Sequence, residues 1–314
     1  MERVFLDGRP FMEQMDRREK VIALGYFDGV HLGHQKVIQT AVKIAEEKGL
    51  ESAVMTFFPH PSVVLRPDCK RETELTPVNM KATLIEELGV HTVYFVKFDS
   101  AFSQLSPQKF VDEYLIQLHA KHIVAGYDFT FGRKAAGNME NIGDYSRSMF
   151  SYTVIPKVEQ FGAKISTSHI RSLIEKGEME ETADLLGRPY RTSGTVVHGD
   201  RRGRTLGFPT ANVEEVDPYL IPAYGVYAVR LIAGGKALNG VCSVGLRPTF
   251  YSKEEAVKTV EVFVLDFEGD LYDQDVSIDW YKRLRPELKF SSADALVHQM
   301  EKDKEETRRY FISK

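Results

Sequence analysis

Cysteine and tryptophan are scarce in this chain of 314 residues, which has two Cys (Cys69 and Cys242) and one Trp. Two cysteines build neither a disulfide framework nor a structural zinc site, so the fold must stand on packed apolar cores. A chain of this length can bury enough surface for that. Long apolar runs are also missing, and none approaches the ~20 residues that span a bilayer. The opening Met1 to Pro10 lacks the apolar stretch of a secretory leader. Excess positive charge is absent too: 41 Lys and Arg stand against 45 Asp and Glu, a formal net charge of −4. A nonspecific nucleic-acid binder needs an extended basic surface, which this balance does not supply. The reading is a reduced, cytoplasmic, soluble protein with no membrane or nucleic-acid partner. The oligomeric state cannot be read from the residues.

Length suggests two domains. In the first half, short apolar runs at Val21–Phe27, Ser52–Phe58, Thr92–Phe98 and Ile123–Tyr127 read as buried strands of a parallel sheet. Helix patterns lie between them. One follows His34 and stops at Gly49; a second opens at Thr76-Pro77, read as an N-cap with Pro at the first helical position; a third opens the same way at Ser106-Pro107. Alternating strands and helices predict a doubly wound α/β domain. After about Ser193 the texture changes to strands separated by Gly-, Pro- and charge-rich turns, including a hairpin turn expected at Glu268-Gly269-Asp270. A closing helix is expected from Ser291, with Leu296, Val297 and Met300 on its inner face. This half reads as a smaller all-β barrel with a C-terminal helix. The boundary is expected near Leu186-Gly187, giving domains 1–186 and 187–314.

Chemistry gathers at four places in the first half. The first strand runs into Gly25-Tyr26-Phe27-Asp28-Gly29-Val30-His31-Leu32-Gly33-His34. A helix start exposes N–H groups that favour an anion, glycines admit a phosphate, and His31 and His34 can donate to its oxygens. The pattern is neither the dinucleotide fingerprint nor a P-loop. Together with its place at a strand end, it resembles the signature of nucleotidyltransferases that attack the α-phosphate of a nucleoside triphosphate. Ser166-Thr167-Ser168-His169-Ile170-Arg171 opens another helix with hydroxyls and an Arg, a second phosphate cradle; alone, a Ser cap with a solvated Arg explains it equally well. Thr56–Pro61, with His60, and Gly126–Gly132, with Asp128 and Phe129, follow strands on the same side as His31, where aromatic rings suit a flat heterocycle.

The second half carries one dense motif, Gly194 to Asn212. Its Gly199–Thr205 stretch is one residue short of a P-loop and has Arg204 in place of Lys. What remains is a Gly- and Arg-rich loop with Gly199, Gly203 and Arg204, able to wrap polyphosphate. Gly207-Phe208-Pro209-Thr210-Ala211-Asn212 then places oxygen ligands Thr210 and Asn212 on one side of an extended segment, a sparse donor set of the kind Mg²⁺ shares with substrate phosphates. Glu261 stands in a strand apolar on both faces, either a general base or a carboxylate bonded to a neighbour.

The first domain resembles the FMN adenylyltransferase module of bacterial bifunctional riboflavin kinase/FAD synthetases, through Gly25–Gln35, Thr56–Pro61, Gly126–Gly132 and Ser166–Arg171. Its Ser-Thr-Ser stands where that family usually has Ser-Ser-Thr. The second domain is similar to the riboflavin kinase module, through Gly194–Asn212, Gly225–Ala228, Arg247–Phe250 and Val260–Tyr272. Here Ser243 replaces a usual Asn, and Phe263 a common His. The resemblance implies phosphorylation of riboflavin to FMN by Mg·ATP, with Thr210 and Asn212 as metal ligands and Glu261 as base. It then implies adenylylation of FMN by a second ATP to FAD and pyrophosphate, with His31, His34 and Arg171 stabilising the transfer. The binding residues implied are Gly25, Phe27, Asp28, Gly29, Gly33, His60, Asp128, Phe129, Ser166, Thr167 and Ser168 for the second step. For the first step they are Gly199, Gly203, Arg204, Gly207, Phe208, Pro209, Thr210 and Asn212. The alternatives are a kinase with a weak adenylyltransferase domain, and a non-catalytic flavin-binding regulator.

Overall fold

Runs dense in Val, Ile and Phe are stable as strands only when both faces are covered, and the first half of the chain does this. In the computed structural model, which describes residues 1–7, 17–65, 73–160, 162–199, 207–247 and 257–312, the chain divides into two compact units, Met1–Thr167 and Ser168–Lys314. The two helices spanning residues 167–186 thus fall almost wholly in the second unit, whereas the sequence placed its boundary after them.

The first unit is a six-stranded, all-parallel sheet. Its strands are β1 (Glu2–Leu6), β2 (Lys20–Leu24), β3 (Glu51–Phe58), β4 (Thr92–Lys97), β5 (Ala120–Gly126) and β6 (Ser151–Ile155), in the order β1-β4-β3-β2-β5-β6. The sequence revealed the four inner strands and missed the two edges. Edge strands have one ladder side and less cover: β1 and β6 are largely exposed until their last residue, so neither presents a continuous apolar run. Strand order reverses at β2, between β3 and β5, and a crevice opens beyond the carboxyl ends of β2 and β5 at such a switch point. Gly25 and Tyr127 follow those two ends directly.

Helix α1 (Leu32–Lys48) buries Val37, Ile38, Ala41 and Ala45 and stops at Gly49, in the left-handed conformation at φ 63°. Helix α2 (Val78–Glu87) corrects one expectation. Its cap position is Pro77, with no side-chain capping bond. Thr76 is engaged elsewhere: its N–H donates to Asp28 Oδ1 at 3.0 Å, and its Oγ1 accepts from Gly29 N at 2.8 Å. Ser106 does cap, accepting from Lys109 N with Pro107 at the first helical position.

The second unit opens with α3 (Thr167–Lys176) and α4 (Met179–Leu186) and closes an antiparallel barrel. Its strands are β7 (Tyr190–Val197), β8 (Thr210–Glu215), β9 (Gly225–Ala233), β10 (Lys236–Arg247), β11 (Val257–Val264) and β12 (Asp275–Arg285), in the cyclic order β7-β8-β11-β10-β9-β12. The sole tryptophan, Trp280, is fully buried, and its Nε1–H donates to Thr192 Oγ1 at 3.1 Å. The hairpin expected at residues 268–270 does not form, because β11 and β12 are not neighbours in the closed barrel. The 265–274 segment is instead a crossing loop pinned at both ends, by Leu265 N to Asn239 O and Asp273 N to Val196 O.

Helix α5 (Ala293–Ile312) packs on the barrel along the expected face, which is buried most deeply further along the helix. Leu296, Val297 and Met300 are half-buried, while Asp303 and Thr307 are buried. Asp303 receives a two-pronged guanidinium from Arg285 at 2.8–3.1 Å and the Gln299 amide at 2.9 Å. A satisfied ion pair seats this helix beside its half-buried apolar residues.

Candidate functional site

Beyond β2, the chain makes a tight loop before α1. Phe27 and Val30 take left-handed conformations (φ 54° and 41°), strain of the kind that gathers at functional sites. A side chain at Gly25 would place Cβ 2.7 Å from the Phe27 ring. The loop is held from behind by Asp28, 1% exposed, whose Oδ1 accepts from Leu75 N and Thr76 N at 2.9 and 3.0 Å. Asp28 O also accepts from Thr167 Oγ1 at 3.1 Å. Asp28 and Gly29 therefore brace the loop, and neither lines the cleft it borders.

His31 caps α1, with its Nδ1 accepting from His34 N at 3.2 Å. An Nδ1 that accepts is unprotonated, so the neutral ring carries its proton on Nε2 and keeps that N–H for another partner. The two imidazoles stack at 3.6 Å, 16° from parallel. Burial is the main cause pushing His31 down to about 4, and it also holds His34 well below the usual imidazole range, helped by His31 and Lys81. His34 Nδ1 is buried without a hydrogen-bond partner. Two neutral donors wait beside a cleft of about 710 Å³. Gly33 leaves them room: its Cβ would lie 3.1 Å from the His31 ring.

The same cleft is lined by Gly25, Phe27, Asp128, Phe129, Ser166 and Thr167, so most of the residues expected in the first half converge there. Its deeper wall is aromatic, with Phe57, Phe98, Phe102, Phe110 and Phe131. Sequence reasoning missed its cations. Arg133, Lys134, Lys157 and Lys164 line it against one carboxylate among the described residues, Asp128. Lys164 Nζ donates to Asp128 Oδ2 at 2.7 Å and sits 4.9 Å from the Tyr127 ring centroid. The available signal was Lys164 itself, two residues before Ser166. His60 is not a lining residue; its Nδ1 accepts from Ser62 N at 3.0 Å, and its ring meets Tyr26 edge-on. Ser168 and Arg171 ride on α3 in the second unit and do not line this cleft.

The second cleft, also about 710 Å³, opens on the barrel between Gly207, Pro209 and Thr210 on one side and the 266–272 loop on the other. β8 pairs with β11 so that Asn212 faces Glu261 and Thr210 faces Phe263. Thr210 Oγ1 donates to Glu261 Oε2 at 3.3 Å. Gly199 packs against the Asn212 side chain so closely that a Cβ there would displace the Asn212 amide. Phe208 is buried against Phe263 at 5.1 Å and anchors the motif. The structure thus brings Gly199, Phe208, Thr210, Asn212 and Glu261 together, and of these Thr210 is the one that lines the cleft. Gly203 and Arg204 lie outside the described residues. The 266–272 wall, ending in Tyr272 tilted against His198 at 4.0 Å, was hidden in what read as a turn.

Comparison with known proteins divides the chain in the same order. A family model described as FAD synthetase matches residues 13–169, and one described as riboflavin kinase matches residues 186–311. Proteins named bifunctional riboflavin kinase/FMN adenylyltransferase are similar over nearly the whole length. That from Listeria monocytogenes is 46% identical over 99% of this chain and 98% of its own. That from Bacillus subtilis is 48% identical over 94% of each chain, and that from Escherichia coli 34% identical over 96% and 95%. A solved structure from Streptococcus pneumoniae, described as a macrolide-efflux protein, superposes with a TM-score of 0.90 at 34% identity, covering 98% of this chain and 99% of its own. Among the described residues, no helix is long and apolar enough to cross a membrane.

Proposed function

This chain belongs to the bifunctional riboflavin kinase/FMN adenylyltransferase family, and we propose that its two clefts divide the two reactions, with adenylyl transfer beyond β2 and phosphoryl transfer on the barrel. The observation that carries the division is geometric. The His31–His34 pair lines one cleft and Thr210 lines the other, in different compact units, with Glu261 hydrogen-bonded to Thr210 and Asn212 opposite Glu261 across the strand pair. The functional boundary proposed is 186/187, and the proposed compartment is the cytoplasm.

On the barrel, Glu261 accepts the proton of the terminal ribityl hydroxyl of riboflavin. That oxygen bonds to the γ-phosphorus of ATP as the bond to ADP breaks, giving FMN. Thr210 and Asn212 offer neutral oxygen donors, which fits Mg²⁺ sharing its sites with water and phosphate and leaves Glu261 as the base. An ion held by these oxygens would neutralise phosphate charge. Thr210 already holds Glu261 through its hydroxyl, so the carboxylate is oriented before substrate arrives.

In the first unit, a phosphate oxygen of FMN attacks the α-phosphorus of ATP and pyrophosphate leaves, giving FAD. A phosphate monoester is ionised near neutral pH, so this step needs no base. It needs like charges held together. His31 Nε2–H donates to the reacting phosphates, and Lys164 and Lys157 offset charge at the mouth. Arg171 is assigned to the same step from its motif. The aromatic wall takes the flavin ring.

Incubation with riboflavin, ATP and Mg²⁺ followed by chromatography tests the reading. FMN and FAD together support it; FMN alone supports a kinase, and neither product supports a binding protein.

A further inference from the structure

The C-terminal helix α5 reaches both walls of the phosphotransfer cleft from one face. Its base is fixed to the barrel by the buried Asp303–Arg285 pair, with Arg285 15% exposed and Asp303 5%. From that base, Lys304 extends over the Phe208 ring, its Nζ 5.8 Å from the centroid. Phe208 is 4% exposed and joins Gly207 to Pro209, both of which line the cleft. One helical turn later, where residues four apart share a face, Arg308 Nη2 donates to Asp266 Oδ1 at 2.6 Å. Asp266 lines the opposite wall and turns the chain there in the left-handed conformation at φ 53°.

Three features set this contact apart from an ordinary surface pair. Asp266 begins the 266–272 wall, so its position sets the direction in which that wall leaves β11. Its left-handed backbone is disfavoured for a residue with a side chain and has to be held by surrounding contacts. Arg308 is also buttressed on its own helix, where Nη1 donates to Glu305 Oε1 at 2.9 Å. A guanidinium tied at both ends of its fork is oriented in a way that a lysine ammonium is not.

We propose that Arg308 is a positioning residue for phosphoryl transfer. With Lys304 it makes α5 a brace that fixes the distance between the Phe208–Thr210 wall and the 266–272 wall, and so sets nucleotide affinity in the barrel cleft. The inference rests on the assignment of phosphoryl transfer to the second unit. An exposed ion pair contributes little to global stability. Its loss should therefore loosen the wall without unfolding the barrel.

The test uses the full chain and reads both activities in each variant. Arg308→Gln is expected to raise KM for ATP in riboflavin phosphorylation about five- to tenfold with kcat within twofold, while FMN adenylylation and the Trp280 fluorescence melt stay as in the parent. Asp266→Asn should match it, and the double variant should be no worse than either single one, the signature of a shared contact. Arg308→Lys should recover only part of the loss. Single variants with parental KM, or effects that add in the double variant, would overturn the brace. Absence of riboflavin phosphorylation in the parent would instead overturn the assignment of the cleft.

Discussion

His31 Nδ1 accepts the backbone N–H of His34, and the two imidazole rings then lie face to face at 3.6 Å. One hydrogen bond thus caps a helix, fixes a tautomer and stacks two neutral rings. In the proposed assignment, each consequence bears on the adenylyl step.

Proton uptake on nucleotide binding follows from it. Burial lowers His31 from 6.5 to about 4, so the unfolded chain binds more protons than the folded one between those values. The stability this gives is fully present above about pH 6.5 and is lost as pH falls through about 4. A triphosphate works the other way, because its negative charge favours imidazolium. Calorimetric titration with ATP near pH 6, in two buffers of different ionisation enthalpy, should show net proton uptake that His31→Ala reduces. Equal uptake in the variant would contradict the neutral resting state.

Asp28 should matter for stability before chemistry. Asp28→Ala leaves Leu75 N and Thr76 N buried without an acceptor, at a cost of about 1–3 kcal/mol each. Trp280 reports only the barrel. The far-UV circular dichroism transition in urea should therefore move to lower concentration while the Trp280 fluorescence transition stays in place. An unshifted far-UV transition would mean that Asp28 does not hold this loop.

Gly199→Ala should disable the barrel selectively. The new Cβ would occupy space held by the Asn212 amide and displace it. Displacement of a positioned group by about 1 Å costs on the order of a hundredfold in rate. Phosphorylation of riboflavin should fall by about that factor, with adenylylation of FMN unchanged; retention of the kinase rate would show that Asn212 is not held there for the reaction.

Much of this was legible before any coordinates. The inner strands announced themselves because burial on both faces demands continuous Val, Ile and Phe, and Gly25–His34 because its residue types are costly unless used. The edges β1 and β6 were not legible, since an exposed face leaves no such run. Thr76 looked like a helix cap because cap and loop-anchor hydroxyls have the same local sequence. Only the fold brings Asp28 to it from 48 residues away. The Lys164–Asp128 pairing and the α5 brace were invisible for the same reason. Their meaning lies in what they face, across 36 residues for Asp128 and 42 for Asp266.

The central claim is that two sites act in sequence, and one paired time course tests it most directly. Riboflavin, ATP and Mg²⁺ are given to His31→Ala/His34→Ala and, separately, to Glu261→Gln; the second variant is also given FMN. The histidine variant should accumulate FMN and form no FAD. Glu261→Gln should lose about 10²- to 10⁴-fold in FMN formation yet convert added FMN to FAD at the parental rate. Loss of both reactions in both variants, with each still folded, would contradict it.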